Sequence, residues 1–185
     1  MAWVMLIGGL VLWSAAHLWK RLARAHREKM GDAGRGIAAV LILASVGLMI
    51  FGYRWAEFVT VWSPPGFMIH INNLLMLIAM YVYLSAMAAP GLWIARIKHP
   101  QLAGFKIWTL AHLLVNGDLA SILLFDGLLA WAVVNLIVIN KQSGPWARPE
   151  TAPVKSELAM IGVGLIGFAV VAGLHVAAGK WPFPG

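Results

Sequence analysis

An all-α, polytopic membrane helical bundle of about six transmembrane helices is the fold class this sequence predicts, and three observations predict it. Hydrophobic residues make up 61% of the 185 positions and charged residues only 11%, against about 25% charged in a soluble domain. Mean hydropathy is +0.81. The apolar residues gather into runs close to the ~20 residues that cross a hydrocarbon core of about 30 Å, and the connections between the runs hold most of the Lys and Arg. Cysteine is absent, which excludes disulfides, zinc–thiolate sites, iron–sulfur clusters and thiol nucleophiles. The formal charge of +7 reads as basic cytoplasmic loops of a membrane protein, not as a nucleic-acid surface.

The first span is Ala2 to Trp19. Its basic residues follow the apolar run, whereas a cleaved signal carries them in front, so it reads as a span. His17 lies near its end, and KRLARAHREK then supplies Lys20, Arg21, Arg24, Arg27 and Lys29 as a basic loop. Gly36 to Tyr53 is the second span. The connection from Arg54 to Phe67 is nearly uncharged and ends in the turn signal Ser63–Pro64–Pro65–Gly66. Met68 to Ala88 is the third span, with His70 at its entrance, Asn72 and Asn73 one turn in, and Pro90–Gly91 as its stop.

GLWIARIKHPQ follows as an interfacial loop, with Trp93 an anchor at headgroup level. Phe105 to Asn140 would be about 54 Å long as one helix, too long for a single crossing. Asn116–Gly117–Asp118 is the natural break, giving a short fourth helix and a fifth from Leu119 to Asn140. KQSGPWARPETAPVKSE is a polar linker. Leu158 to Ala178 is the sixth span, where Gly162, Gly164, Gly167 and Gly173 permit close helix contact. Residues 1–185 thus read as a single transmembrane domain without repeats or a soluble module.

Charge sets an orientation. The connections 20–35, 91–106 and 141–156 hold 12 of the 14 Lys and Arg, and only Arg54 and Lys180 fall elsewhere. By the positive-inside rule those three connections are cytoplasmic and both termini are outside.

The stretch Lys98 to Asp126, KHPQLAGFKIWTLAHLLVNGDLASILLFD, concentrates the polar chemistry. No charge lies between Lys106 and Asp118, so His112 sits at membrane depth, where an ionisable group reads as functional by default. It is expected about 10 Å into the fourth helix, counted from Phe105, and His17 on the first helix lies at a similar depth from the same side. His26 and His99 belong to cytoplasmic loops, and His70 and His175 read as interfacial. Two intramembrane imidazoles on separate helices suit axial ligation of a haem b iron, bound without covalent attachment because no CxxCH is present. The plainer role for each is a hydrogen bond to a neighbouring helix.

Leu113, Leu114 and the face from Asn73 to Leu77 offer an apolar slot. Arg24 and Arg96 offer cations for propionates. Asp118 reads as a cap on the fifth helix, with a proton relay as the alternative, and Asp126 lies two turns into that helix between apolar residues. The methionines read as packing and the tryptophans as an interfacial belt.

These residues carry a resemblance. His99–Pro100–Gln101 followed by Trp108, Ala111–His112 and Asn116–Gly117, with Ser14–Ala15–Ala16–His17 and Asn73–Leu74–Leu75–Met76, resembles the NnrU family of membrane proteins. That family is similar over its hydrophobic core to the plant and cyanobacterial 15-cis-ζ-carotene isomerase. The resemblance implies a multi-pass protein of the bacterial inner membrane that binds haem b through His17 and His112, with His99 as the rival ligand. It implies a part in nitrite and nitric oxide reduction. Thr109 stands where the isomerase pattern has cysteine, three residues before the histidine and on the same helix face, so a thiolate-for-imidazole exchange has no thiol here.

Three functions follow as expectations. The first is a haem b redox or carrier protein working with denitrification partner proteins. The second is a haem-dependent cis–trans isomerase of a lipophilic poly-cis carotene entering from the bilayer, its pocket shaped by Asn116 or Asp126. The third is a small transporter or assembly factor without cofactor. As for topology, reporter fusions at Lys29 and at Arg148 should both report the cytoplasmic side, and signals from opposite faces of the membrane would overturn the assignment.

Overall fold

A chain in hydrocarbon has no water for its amides and carbonyls, so each apolar run closes its hydrogen bonds within a helix. The computed structural model describes residues 1–87, 93–150 and 153–184. Among them are seven α-helices: α1 Ala2–Leu22, α2 Arg24–Lys29, α3 Gly31–Trp55, α4 Met68–Ser85, α5 Pro100–Val115, α6 Leu119–Gln142 and α7 Val154–Ala177, with a single 3-10 turn at Ile94–Arg96. Five of these, α1, α3, α4, α6 and α7, are long and apolar enough to cross a membrane. The protein is a multi-pass helical membrane protein. Of the six spans expected from sequence, α5 is the short one: its 16 residues reach about 24 Å at 1.5 Å per residue.

Helix starts differ most from the sequence reading. α5 begins five residues ahead of Phe105, because Pro100 occupies its first position with φ preset for a helix and the His99 carbonyl accepts the Ala103 amide at 2.9 Å. Lys106 therefore lies within the helix. α7 begins at Val154 and takes Glu157 out of the linker into its first turn. The basic segment after α1 is largely helical, with exposed ion pairs Arg24–Glu28 at 2.7 Å and Arg35–Asp32 at 2.8 Å, pairs that contribute little to stability in water. Ala88, the Pro90–Gly91 stop and positions 151–152 of the linker lie outside the described residues.

Contacts divide the chain into two compact units, Met1–Trp62 with Gly117–Gln142, and Ser63–Asn116 with Ser143–Gly185. In the first, α1 packs on α3 and on α6. Gly9 lets two helix backbones meet: a Cβ there would lie 2.9 Å from the Ser45 carbonyl oxygen on α3. In the second unit α4 packs on α5 and α7, around buried Met76, Ala79 and Val82. A Cβ on Gly104 would lie 2.9 Å from the Ala79 carbonyl oxygen, and one on Gly164 2.9 Å from the Tyr81 Cα. Small residues at helix contacts are what packing in lipid favours.

The break ahead of α6 is stitched by backbone and side-chain hydrogen bonds. Residues 59–62 run beside it as an isolated antiparallel bridge, Thr60 to Asp118. The Val61 and Trp62 amides donate to the Gly117 carbonyl at 2.8 and 3.1 Å, and the Leu119 amide donates to the Val59 carbonyl at 2.8 Å. The Trp62 carbonyl occupies the space a side chain at Gly117 would need. Asp118 caps α6 as the sequence predicts, its Oδ1 accepting the Ser121 amide at 2.9 Å and its Oδ2 accepting the Ser121 hydroxyl at 2.5 Å. That hydroxyl proton is thereby committed, so Tyr53 must donate in its 3.0 Å bond to Ser121 Oγ. Asp118→Ala should lower unfolding stability in detergent by about 1–2 kcal/mol, the upper range for a lost N-cap, while Asp118→Asn keeps most of it. An unchanged melting temperature in Asp118→Ala would overturn this account of the break.

Candidate functional site

Three histidines on membrane helices share one local arrangement. His17 Nδ1 lies 2.9 Å from the Trp13 carbonyl oxygen, His112 Nδ1 3.0 Å from that of Trp108, and His175 Nδ1 2.8 Å from that of Val171. Each carbonyl belongs to the residue four positions earlier, one turn back, which is where a helical side chain leans. A carbonyl oxygen only accepts, so Nδ1 carries the proton. The lone pair of each neutral ring is then on Nε2, the atom that a metal takes.

In the first unit, His17 is half-buried in an aromatic setting. The Trp13 ring lies 4.0 Å away, the Trp131 ring of α6 meets it edge-on at 4.8 Å, and the two indoles meet at 5.2 Å. Trp131 and its neighbour Ala132 are buried.

In the second unit, His112 is in the last turn of α5, 12 residues after Pro100 and so about 18 Å along the helix. The earlier helix start adds about a turn and a half ahead of Phe105 and leaves the distance from Phe105 to His112 as expected. The ring lies 5.3 Å from Trp108 and 6.3 Å from His175 of α7. Its turn is pinned by side chains: Asn116 Nδ2 donates to the His112 carbonyl at 2.8 Å, and fully buried Thr109 donates its hydroxyl to the Lys106 carbonyl at 2.8 Å.

The remaining sequence candidates are placed as follows. Asn73 accepts from Asn72 and donates to the Pro182 carbonyl at 3.1 Å, which ties the C-terminal tail to α4. Arg24 is exposed, and its hydrogen bond to Glu28 holds its pKa above the ordinary value. Arg96 is exposed with its guanidinium 4.9 Å above the Trp93 ring. His99 is the N-cap residue of α5. His26 and His70 are exposed, and Asp126 is exposed on α6. Among the described residues no group of three or more His, Asp or Glu side chains converges on one point.

Two features escaped the sequence reading. His175, expected at the interface, stands against His112. The Pro100 helix-start signal, read as the entry to α5, already moves His112 toward the far end of its helix, where α7 also ends. The second is a buried acid: Glu157 is 5% exposed, accepts the Tyr81 hydroxyl on Oε1, and its Oε2 has no hydrogen bond among the described residues.

The model of the NnrU protein family matches residues 5–182. The chain belongs to the NnrU family. No curated protein and no solved structure matches it. The family match takes in both units and all three locked histidines of this NnrU-family chain.

Tyr81→Phe removes the donor that Glu157 depends on and should cost about 1–3 kcal/mol, the penalty for a buried polar group left unsatisfied. Pairing it with Glu157→Leu should recover most of that loss. Denaturation in detergent reads both, and a Tyr81→Phe protein as stable as the parent overturns the pairing.

Proposed function

We propose that the protein is a haem b protein of the bacterial inner membrane that supports nitrite and nitric oxide reduction, with His17 and His112 as axial ligands to iron. The observation that carries this reading is the shared lock of their rings: both donate Nδ1–H to a carbonyl of their own helix, so both present Nε2 as the ligating atom. Such a second hydrogen bond fixes the tautomer and raises the basicity of the ligand. When bound, haem supplies an iron that takes up and gives back one electron.

The surroundings of the two histidines suit that group. Trp13 and Trp131 shield His17 from water, and Trp108 lies beside His112. Asn116 and Thr109 hold the final turn of α5 so that the His112 ring keeps its direction. Arg24 and Arg96 are exposed, each in an interaction weak enough to exchange for a propionate. The family's link to denitrification supports the physiological role. Thr109 favours it over isomerisation of a poly-cis carotene, since its hydroxyl is turned onto the Lys106 carbonyl and offers iron no thiolate.

Protein purified from cells supplied with haem should show a Soret band with a low-spin spectrum. His112→Ala should lose that low-spin form, whereas His26→Ala should leave it unchanged. Wild-type protein, but not His112→Ala, should restore nitrite reduction to a strain lacking the gene. No Soret band would favour the transporter or assembly-factor reading, and a low-spin spectrum unaffected by both His17→Ala and His112→Ala would remove these ligands from consideration.

A further inference from the structure

We infer that His175 is a third iron-ligating residue, placed to hold the haem group together with His112 within the α4–α5–α7 unit. This rests on the haem reading above. The observation is the juxtaposition of two imidazoles on different helices, ring centroids 6.3 Å apart and planes 42° apart. Two rings bound through Nε2 on opposite sides of one metal, with metal–nitrogen distances of about 2.0–2.1 Å, have centroids roughly 6 Å apart. The observed spacing fits two imidazoles that share one ion.

Tautomer chemistry points the same way. Both rings commit Nδ1–H to their own helix, at 3.0 Å for His112 and 2.8 Å for His175. Two neutral imidazoles whose Nδ1–H groups are both committed cannot hydrogen-bond to each other, and each keeps on Nε2 the atom that a metal takes.

His175 is also held more firmly than an interfacial histidine needs to be. α7 ends in a Schellman motif: the Lys180 amide donates to the His175 carbonyl at 2.8 Å and the Gly179 amide to the Val176 carbonyl at 2.9 Å, with Gly179 at φ +77°. The tail beyond is fastened by Asn73 to Pro182 and by Phe183 against Phe168. A ligand position needs this kind of support from its surroundings.

The helix ends contribute as well. His112 is in the last turn of α5 and His175 in the last turn of α7. Helix C-termini carry partial negative charge and favour a cation placed there.

The test is electron paramagnetic resonance and absorption spectroscopy on haem-loaded wild type, His17→Ala, His175→Ala and the double variant. His17→Ala should remain six-coordinate and low-spin through His112 and His175, with shifted g-values. The double variant should lose the low-spin signal, and added imidazole should restore it, which also shows that the fold is intact. His175→Gln serves in place of alanine if that variant aggregates. If haem binds but His17→Ala alone is already high-spin, His175 is no ligand and the haem reading survives; if the double variant stays low-spin, the assignments of His17 and His175 both fall. Absence of a Soret band in the wild type overturns both.

Discussion

Unsatisfied backbone in hydrocarbon is the constraint on which the rest of this structure depends. An exposed amide or carbonyl there costs several kcal/mol, more than the ~1 kcal/mol a helix cap is worth in water. The chain interrupts its longest apolar stretch only where Asp118, Ser121 and residues 59–62 together take the freed groups. The ending of α5 follows from the same rule. Asn116 donates both its amide and its side chain to the His112 carbonyl, which stops the helix directly after the residue that carries the imidazole.

The histidines obey the constraint by a local route. A ring N–H in lipid needs an acceptor, and a carbonyl one turn back provides it without calling on another helix. The tautomer of each ring is thus settled within its own helix, and neighbouring helices are left to decide what Nε2 meets. Buried Glu157 shows the other solution, in which the partner comes from a second helix. That contact is possible because Gly164 allows α7 to approach the backbone of α4 at Tyr81.

Composition made the helical membrane class legible, and Asn-Gly-Asp made the break and its cap legible, because both depend on local chemistry that a residue's neighbours in sequence reveal. His17 and His112 were legible as ionisable groups in apolar runs. Helix starts were harder. Pro100 marks one plainly, yet hydropathy points to Phe105, because it follows the lipid boundary while α5 begins in the polar connection. Glu157 was hidden for the same reason, as the first turn of α7 reads as linker by composition. The contact between His112 and His175 lies beyond any pattern along the chain, since it depends on how far α5 and α7 each run before they end.

Those endings have an electrostatic consequence. Asn116 terminates α5 and Gly179 terminates α7, by two unrelated devices, and each leaves a histidine in the final turn. The peptide dipoles of both helices then present their negative ends near the same pair of rings. A positive charge held by the pair is stabilised from both sides, by roughly 0.3–1 kcal/mol per helix end, and by more where lipid lowers the local dielectric. On the proposed haem reading, an oxidised iron held at His112 would gain more from this field than a reduced one, in opposition to burial, which disfavours the charged form. Two helices that end at the same pair of rings thus act through their backbone on any positive charge the pair holds.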